Sequence, residues 1–552
     1  MPTQFEVKGR DGLGRSGLFS VDDTTYQTPL PLDMEDIFPD LAALHHANVP
    51  LSADPEFARE YLVQPGGETV IVHPALGGGE SGQCAVVASW HTALTNPRNM
   101  VGHLAALREK VPPDAAWYAP AAALPSNACF LAYLGFDLFD FTAVDLMTAR
   151  GLFCTPEGEF PAAEIEEGSC SCAGCAKGDL GLHNRLALRT ECATVRRFIA
   201  GEQLRELMEQ RCRMDPDQVT AMRLLDQEYN ITEEAAPAAR AVRLRANSAE
   251  SMYRPEVKRF AERVIERYVP PRKDVAVLLP CAVRKPYSSS QSHQRYIGAI
   301  AGRAHEVIIT SPLGVVPREV EAVYPAGHYD VPVTGYWDHE ECAFLSDILA
   351  RYLQAHPYGR VIAHLEGGAL KVAEMAAAVC GIELECTCTG HPTSPASLHT
   401  LDEALASERK MRTTPVAGVL SWQFGEHVET KGMQVKGKPW RQAVFKGKTL
   451  LYNIDPGTGL YKPTFDGWKY LHGYRVQIDD FVPHGDVLAP GVTGADPAIR
   501  PGDEVLVVGP SAMATGRAMM SAGEMVRSRR GVAVKVRKVK CTERQTDSTR
   551  AI

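Results

Sequence analysis

Between Tyr253 and Lys410 the chain alternates short apolar runs with longer amphipathic stretches: "VAVLLP", "QRYIGAIAGRA", "EVIITSP", "FLSDILARYLQAH" and "RVIAHLE". Near-continuous Val, Ile and Leu runs separated by helical patterns imply a parallel sheet covered on both faces, because each parallel connection must cross over the sheet. Ligands on such sheets bind at the carboxyl ends of the strands. Cys281, Ser311 and Glu366, each just beyond a strand run, are therefore expected to emerge together.

The rest of the chain reads differently. Up to about Met214, strand-like and helix-like patterns are mixed; beyond Thr414, short strands alternate with Gly/Pro turns, as in "LLYNIDPGTGLYKP". "IRPGDEVLVVGPSAMATGRAMMS" and "RRGVAVKVRKV" suggest a small β-barrel. A chain of 552 residues exceeds a single core. The expected organisation is α/β multidomain: a first domain over 1–214, a helical or flexible linker over 215–252, a central α/β domain over 253–410, a small α+β domain over 411–480 and a barrel over 481–540.

Composition is that of a soluble globular protein, 45% hydrophobic and 23% charged. No stretch approaches the roughly 18 apolar residues of a membrane helix, and "MPTQFEVKGRDG" lacks the apolar core of a signal peptide. A cytoplasmic location with no membrane partner is expected, and the fourteen cysteines read as thiols or metal ligands more than as disulfides. The net charge of −9 hides an asymmetry: from Arg517 to Arg550 there are ten Lys/Arg against three Asp/Glu. A local basic face suits phosphate contacts, with Arg529, Arg530, Lys535, Arg537 and Lys538 as the candidates. A solvated tail is the competing reading.

"SCSCAGCAKGDLGLHN" sets Cys170, Cys172 and Cys175 in a C-x-C-x2-C pattern with His183 eight residues on. Three thiolates and an imidazole complete a closed tetrahedral shell, the structural form of zinc site, with no open position for a substrate. "PCAVRKPYSSSQSH" then crowds Cys281, Lys285, Tyr287, Ser290 and His293 into fourteen residues at a strand end. Lys285, His293 and a helix N-terminus are expected to lower the Cys281 pKa, and His293 or Tyr287 to serve as general acid. Ser288, Ser290 and Ser292 precede a helical run and suit either helix capping or anion binding. Asp330 and Glu366 are candidate ligands for a cationic amine. Cys386 and Cys388 in "ECTCTG" read as structural.

"FEVKGRDGLGRSGLFS", "NPRNMVGHLAALREKV", "YLGFDLFD", "ARGLFCTPEGE" and the cysteine cluster resemble tRNA-guanine transglycosylases. That family implies a (β/α)8-type barrel with a zinc subdomain, ligated here by Cys170, Cys172, Cys175 and His183. The chain lacks the family's Asp-Ser-Gly-type nucleophile stretch, and the segment after Pro29 is too short for all the barrel strands, so a trimmed barrel without base exchange is expected. Asp137 and Asp140 read as strand-end caps rather than catalysts.

The pattern P-C-x3-K-P-Y-x2-S-x2-H resembles the signature of the archaeosine synthase family, paralogues of the transglycosylases, although the Ser that often follows the motif cysteine is Ala282 here. The C-terminal stretch is similar to the RNA-binding PUA domain, and "QFGEHVETKGMQVKGKP" to the small domain preceding it. The resemblance implies action on 7-cyano-7-deazaguanine in the D-loop of tRNA, adding an amine, lysine or another donor, to the nitrile. The amidine-type adduct would be processed to archaeosine by a radical-SAM lyase. A homodimer is a candidate assembly. Base exchange and a non-catalytic tRNA-binding scaffold are the alternatives.

Overall fold

The computed structural model describes residues 3–33, 49–50, 52–62, 69–76, 82–88, 96–332, 336–438 and 441–541. The chain divides into two compact units: residues 1–237 with 486–493 and 519–533, and residues 238–485 with 494–518 and 534–552.

In the first unit an antiparallel sheet of β1 (Thr3–Asp11), β2 (Gly14–Val21) and β3 (Thr24–Thr28) accompanies a five-stranded sheet of β4 (Leu30–Pro31), β5 (Thr69–Val72), β6 (Cys84–Val87), β7 (Ala116–Tyr118) and β8 (Leu138–Phe139). The order of the second sheet is β4-β8-β7-β6-β5, and every neighbouring pair is parallel. The first strand pairing with the last is the closing seam of a (β/α) barrel. Among the described residues this parallel sheet has five strands. The period of two divides the sheet: Val70, Val72, Ala85, Val87 and Trp117 face one apolar cluster, while Ile71, Cys84, Val86, Ala116 and Tyr118 face another. The first cluster takes Met100, Leu104 and Leu107 from α1 (Pro97–Lys110); the second is filled by Phe5 and Phe19 of the antiparallel sheet.

Asp137 and Asp140, at the edges of β8, are both engaged internally, although Asp137 Oδ1 is buried without a hydrogen-bond partner among the described residues. Asp137 Oδ2 accepts from the Trp117 amide (2.8 Å) and pairs with Arg15. Asp140 accepts from the Tyr118 hydroxyl (2.6 Å) and the amides of Ala121 (2.7 Å) and Thr142 (2.8 Å).

The stretch 215–252 differs from a linker. Ala221, Met222 and Leu225 of α3 (Pro216–Gln227; α2 is Leu180–Ala200) are buried in the helix-side cluster of the first unit, and α4 (Tyr229–Ala235) follows. Its alanines, which suggested a flexible connector, are small residues against a core. The remainder pairs as β11 (Leu244–Arg245; β9 is Leu152–Thr155 and β10 Gly158–Pro161) with β15 (Tyr329–Asp330) in the second unit.

The second unit carries the expected sheet, order β14-β13-β12-β16-β17, from β12 (Val275–Pro280), β13 (His305–Thr310), β14 (Gly314–Pro317), β16 (Arg360–Ala363) and β17 (Leu384–Cys386). All pairs are parallel except the edge pair β13–β14. Central β12 is buried from Val275 to Leu279. An antiparallel four-stranded sheet follows: β18 (Met433–Lys438), β19 (Arg441–Lys446), β20 (Thr449–Ile454) and β21 (Tyr461–Pro463). In the C-terminal region β22 (Arg475–Ile478), β25 (Glu504–Val508), β26 (Ala512–Ala518) and β27 (Val532–Cys541) are consecutive neighbours of a six-stranded sheet completed by β23 (Val487–Leu488) and β24 (Val492–Ala495). Among the described residues no helix is long and apolar enough to cross a membrane.

Candidate active site and metal centre

β12 is flanked by β13 on one side and β16 on the other, so the strand order reverses around its carboxyl end, where a crevice opens on parallel sheets. Cys281 is the first residue beyond it. A cavity of about 580 Å³ lies there, within the range of small-molecule sites. Cys281, Ser311 and Glu366 all line it, so the three strand ends do converge. Sequence reasoning missed several other lining residues: Asn247 and Ser248 from the supposed linker, Trp337, and Glu341 of α7 (His339–Ala355; α5 is Pro255–Glu266 and α6 Gln291–Ile300). The first residues of α8 (Gly367–Cys380) also contribute; a Cβ at Gly368 would stand 3.2 Å from the Trp337 ring, so glycine lets the helix start close against it. Burial pushes the Glu341 carboxyl up, opposed by a hydrogen bond from Ser311. Asp330 is outside the cavity lining, exposed and paired with Arg243 at 3.3 Å.

Behind Cys281 runs a chain of buried hydroxyls. Tyr287 Oη lies 2.7 Å from Tyr329 Oη, which lies 2.6 Å from Thr310 Oγ1. Lys285 Nζ sits 3.9 Å from the centroid of the Tyr329 ring, a cation–π position. Cys281 is exposed at the strand end, yet desolvation by the surrounding protein pushes its thiol above the ordinary range, against the expected lowering, with Thr310 and then Lys285 pulling the other way. Burial pushes Lys285 down, opposed by Cys281 and Asp330.

His293 is fully buried, and the expectation that it acts as general acid is corrected as well. Arg318 donates to its Nδ1 at 2.9 Å, which leaves the proton on Nε2, and Nε2 makes no hydrogen bond of normal geometry among the described residues. Burial and the Arg318 charge push its pKa down to about 3, so it is neutral at any ordinary pH. Arg318 also grips Glu306 (2.6 Å) and Glu321 (2.6 Å), and Glu321 accepts from the Ser288 amide (2.9 Å). This network anchors the second half of the motif. Ser290 caps α6, accepting from the His293 amide at 3.2 Å, which is the helix-capping alternative of the sequence reading. Cys386 is exposed at the end of β17.

In the first unit the donor atoms of Cys170, Cys172, Cys175 and His183 all lie within 4.8 Å of one another. His183 Nδ1 is 3.4 Å from Cys172 Sγ and 3.3 Å from Cys175 Sγ. Its Nε2 lies 3.1 Å from the Cys154 carbonyl, a bond that requires the proton on Nε2 and leaves Nδ1 as a lone-pair donor. Phe153 stacks on the ring with centroids 3.7 Å apart. A Cβ at Gly174 would stand 2.4 Å from the His183 amide, so only glycine lets the cysteine loop close onto α2. Four convergent donors with a fixed imidazole tautomer fit a metal ion.

The proposed RNA-contacting cations are placed unevenly. Lys535 and Lys538 are exposed on β27. Arg537 is held bidentately by Glu504 (2.7 and 2.9 Å), and Arg530 donates to Gln83 (2.8 Å). The Arg529 side chain is exposed while its amide donates to Asp114 (3.0 Å).

A strand-end thiol over a cavity and a separate C-terminal barrel define an α/β protein joined to an RNA-binding-type module. The PUA domain pattern matches residues 475–540, and a domain of unknown function (DUF5591) matches residues 257–405. Archaeosine synthase subunit alpha of Methanosarcina acetivorans is 42% identical over 489 residues, covering 81% of this chain and 78% of the relative. Archaeosine synthase of Haloferax volcanii is 35% identical over 98% of this chain and all of the relative. The chain belongs to the archaeosine synthase family. It is also similar to tRNA-guanine(15) transglycosylase of Methanobrevibacter smithii, 25% identical over 73% of this chain and 64% of the relative.

Proposed function

We propose that the protein modifies tRNA in archaeosine biosynthesis, adding an amine to the nitrile of 7-cyano-7-deazaguanine in the D-loop. The observation that carries this reading is Cys281 at the switch point of the central sheet, on a cavity of about 580 Å³, in a chain of this family. A nitrile carbon is an electrophile that a thiolate can attack. In the resting site the thiol is protonated. With Lys285 lowered by burial and drawing the Cys281 pKa down, the thiol passes its proton to the Lys285 amine, giving a Cys281 thiolate beside a Lys285 ammonium. The sulfur–carbon bond forms, one nitrile π bond becomes a nitrogen lone pair, and that nitrogen takes the proton from Lys285. The amine donor then adds to the thioimidate carbon, and the thiolate leaves as the amidine forms. The Thr310 hydroxyl, backed by Tyr329 and Tyr287, favours the anionic sulfur. Glu366 and Glu341 line the cavity where a cationic amine such as lysine would sit. His293 and Ser290 hold the motif in place rather than touching substrate.

Zinc is the metal that suits three thiolates and an imidazole in a closed set, and it would pin the cysteine loop to α2 with no part in the chemistry. Lys535 and Lys538, with Arg529, offer phosphate contacts from the C-terminal barrel. The adduct is then left to a radical-SAM lyase. Base exchange is disfavoured because both carboxylates flanking β8 are engaged in internal hydrogen bonds. The test is the mass of the nucleoside after incubating nitrile-bearing tRNA with lysine, glutamine or ammonium in parallel. A donor-sized gain supports the reading; a base swap, or no change with any donor, refutes it.

A further inference from the structure

Residues 431–448 hold six cations, Lys431, Lys436, Lys438, Arg441, Lys446 and Lys448, and no acidic residue, in a chain whose net charge is −9. All six are exposed. They lie on or beside the β18–β19 hairpin, outside the stretch matched by the PUA pattern. The register sets Lys436 opposite Ala443 and Lys438 opposite Arg441. With a period of two, Lys436, Lys438, Arg441 and Phe445 share one face, and the buried Met433 and Val444 point to the other. Lys436 Nζ lies 5.7 Å from the centroid of the Phe445 ring. At Gly437, where φ is +110°, a Cβ would stand 2.1 Å from the Arg441 carbonyl oxygen. Glycine there brings the strands together with Lys438 and Arg441 side by side.

Lysines on an edge strand discourage sheet-to-sheet aggregation, which accounts for Lys436 and Lys438 on the outer strand β18. It does not account for Arg441 and Lys446, which are on the inner strand β19, or for Lys448 in the following turn.

We infer that this hairpin face is a second docking surface for the tRNA, contacting backbone phosphates through Lys436, Lys438 and Arg441, separately from the C-terminal barrel. The inference rests on the tRNA reading above. The test uses the full chain and a tRNA transcript, with affinity measured across a series of KCl concentrations. The triple variant Lys436→Ala, Lys438→Ala, Arg441→Ala should lower the slope of log affinity against log salt by about 2 to 3, since each lost phosphate contact removes roughly 0.9 on duplex. Its melting temperature should match the parent's, because the three side chains are exposed. An unchanged slope in a variant whose parent binds tRNA overturns the hairpin surface alone. If the variant then fails to retain an acidic peptide that the parent retains, the surface belongs to a protein partner. A parent that does not bind tRNA overturns both readings together.

Discussion

Cys172 in the first unit and Cys281 in the second are thiols with opposite surroundings. Around Cys172 three further donors stand within 4.8 Å, so the lone pairs converge on one point. Around Cys281 stand a hydroxyl chain, a lysine and a cavity of about 580 Å³, so its sulfur has room for a reacting carbon. Convergence suits a thiol to ligation; an open side over a cavity suits it to the nucleophilic role proposed above. The contrast is broken most directly by exchanging the expected losses. Cys281→Ala should reduce turnover at least about a thousandfold, with metal content and melting temperature unchanged. Cys172→Ala should release the metal and lower the melting temperature of its unit by on the order of 10 °C, because metal binding there is folding free energy. Metal analysis, calorimetry and single-turnover assays on both variants decide it. A Cys281→Ala protein that keeps measurable turnover would leave direct amine addition standing.

The next effect sharpens what backs the nucleophile. Thr310→Val removes the hydroxyl that draws the Cys281 pKa down and leaves the volume, so the thiol pKa should rise. The alkylation rate at pH 8 should fall about tenfold or more. Tyr329→Phe, which keeps the ring beneath Lys285, should have a smaller effect and Tyr287→Phe the smallest, while Thr310→Ser should restore the parent profile. Equal rates across the series would show that the hydroxyls only fill space.

The parallel sheet was legible because β12 reads as an unbroken apolar run, and its carboxyl end located Cys281, Ser311 and Glu366 together. The ligand set was legible because the four donors are close in sequence. Thr310, Tyr329 and Arg318 were not: Arg318 meets the motif at His293 across 25 residues, Tyr329 meets it at Tyr287 across 42, and Thr310 joins through Tyr329, 19 residues away. The pKa of Cys281 was misjudged for a related reason. A neighbouring lysine is visible in a sequence, but the desolvation that outweighs it is a property of the fold. The 215–252 stretch misled because alanine-rich composition is shared by linkers and by helices packed on a core.

His293 tests the distinction between holding and reacting. Its folded pKa lies near 3 against an ordinary 6.5, so the folded state refuses a proton that the unfolded state accepts. Stability should therefore fall as pH drops from about 6.5 towards 3, and His293→Gln should flatten that part of the acid limb relative to the parent. Between pH 6 and 8 the variant's rate should fall by a modest factor at every pH, with an unchanged profile. A lost limb near neutrality in the variant would return His293 to proton transfer.

The smallest effect separates two cations on one strand. Arg537 and Lys535 are both on β27, and a charge count treats them alike. Arg537 is held by two hydrogen bonds to Glu504, whose buried carboxyl is pushed up by desolvation and held down chiefly by that arginine. Lys535 is exposed. Lys535→Ala should lower the salt slope of tRNA binding by about 0.9 with no change in melting. Arg537→Ala should leave the slope nearly intact and instead strand Glu504 without its partner, raising the carboxyl further. The variant's stability should then fall as pH rises towards neutrality, where the unfolded carboxylate gives up its proton more readily than the buried one. Melting curves at pH 5 and pH 7.5 measure this. An Arg537→Ala protein that loses slope and keeps its melting temperature would place the guanidinium on phosphate rather than on Glu504.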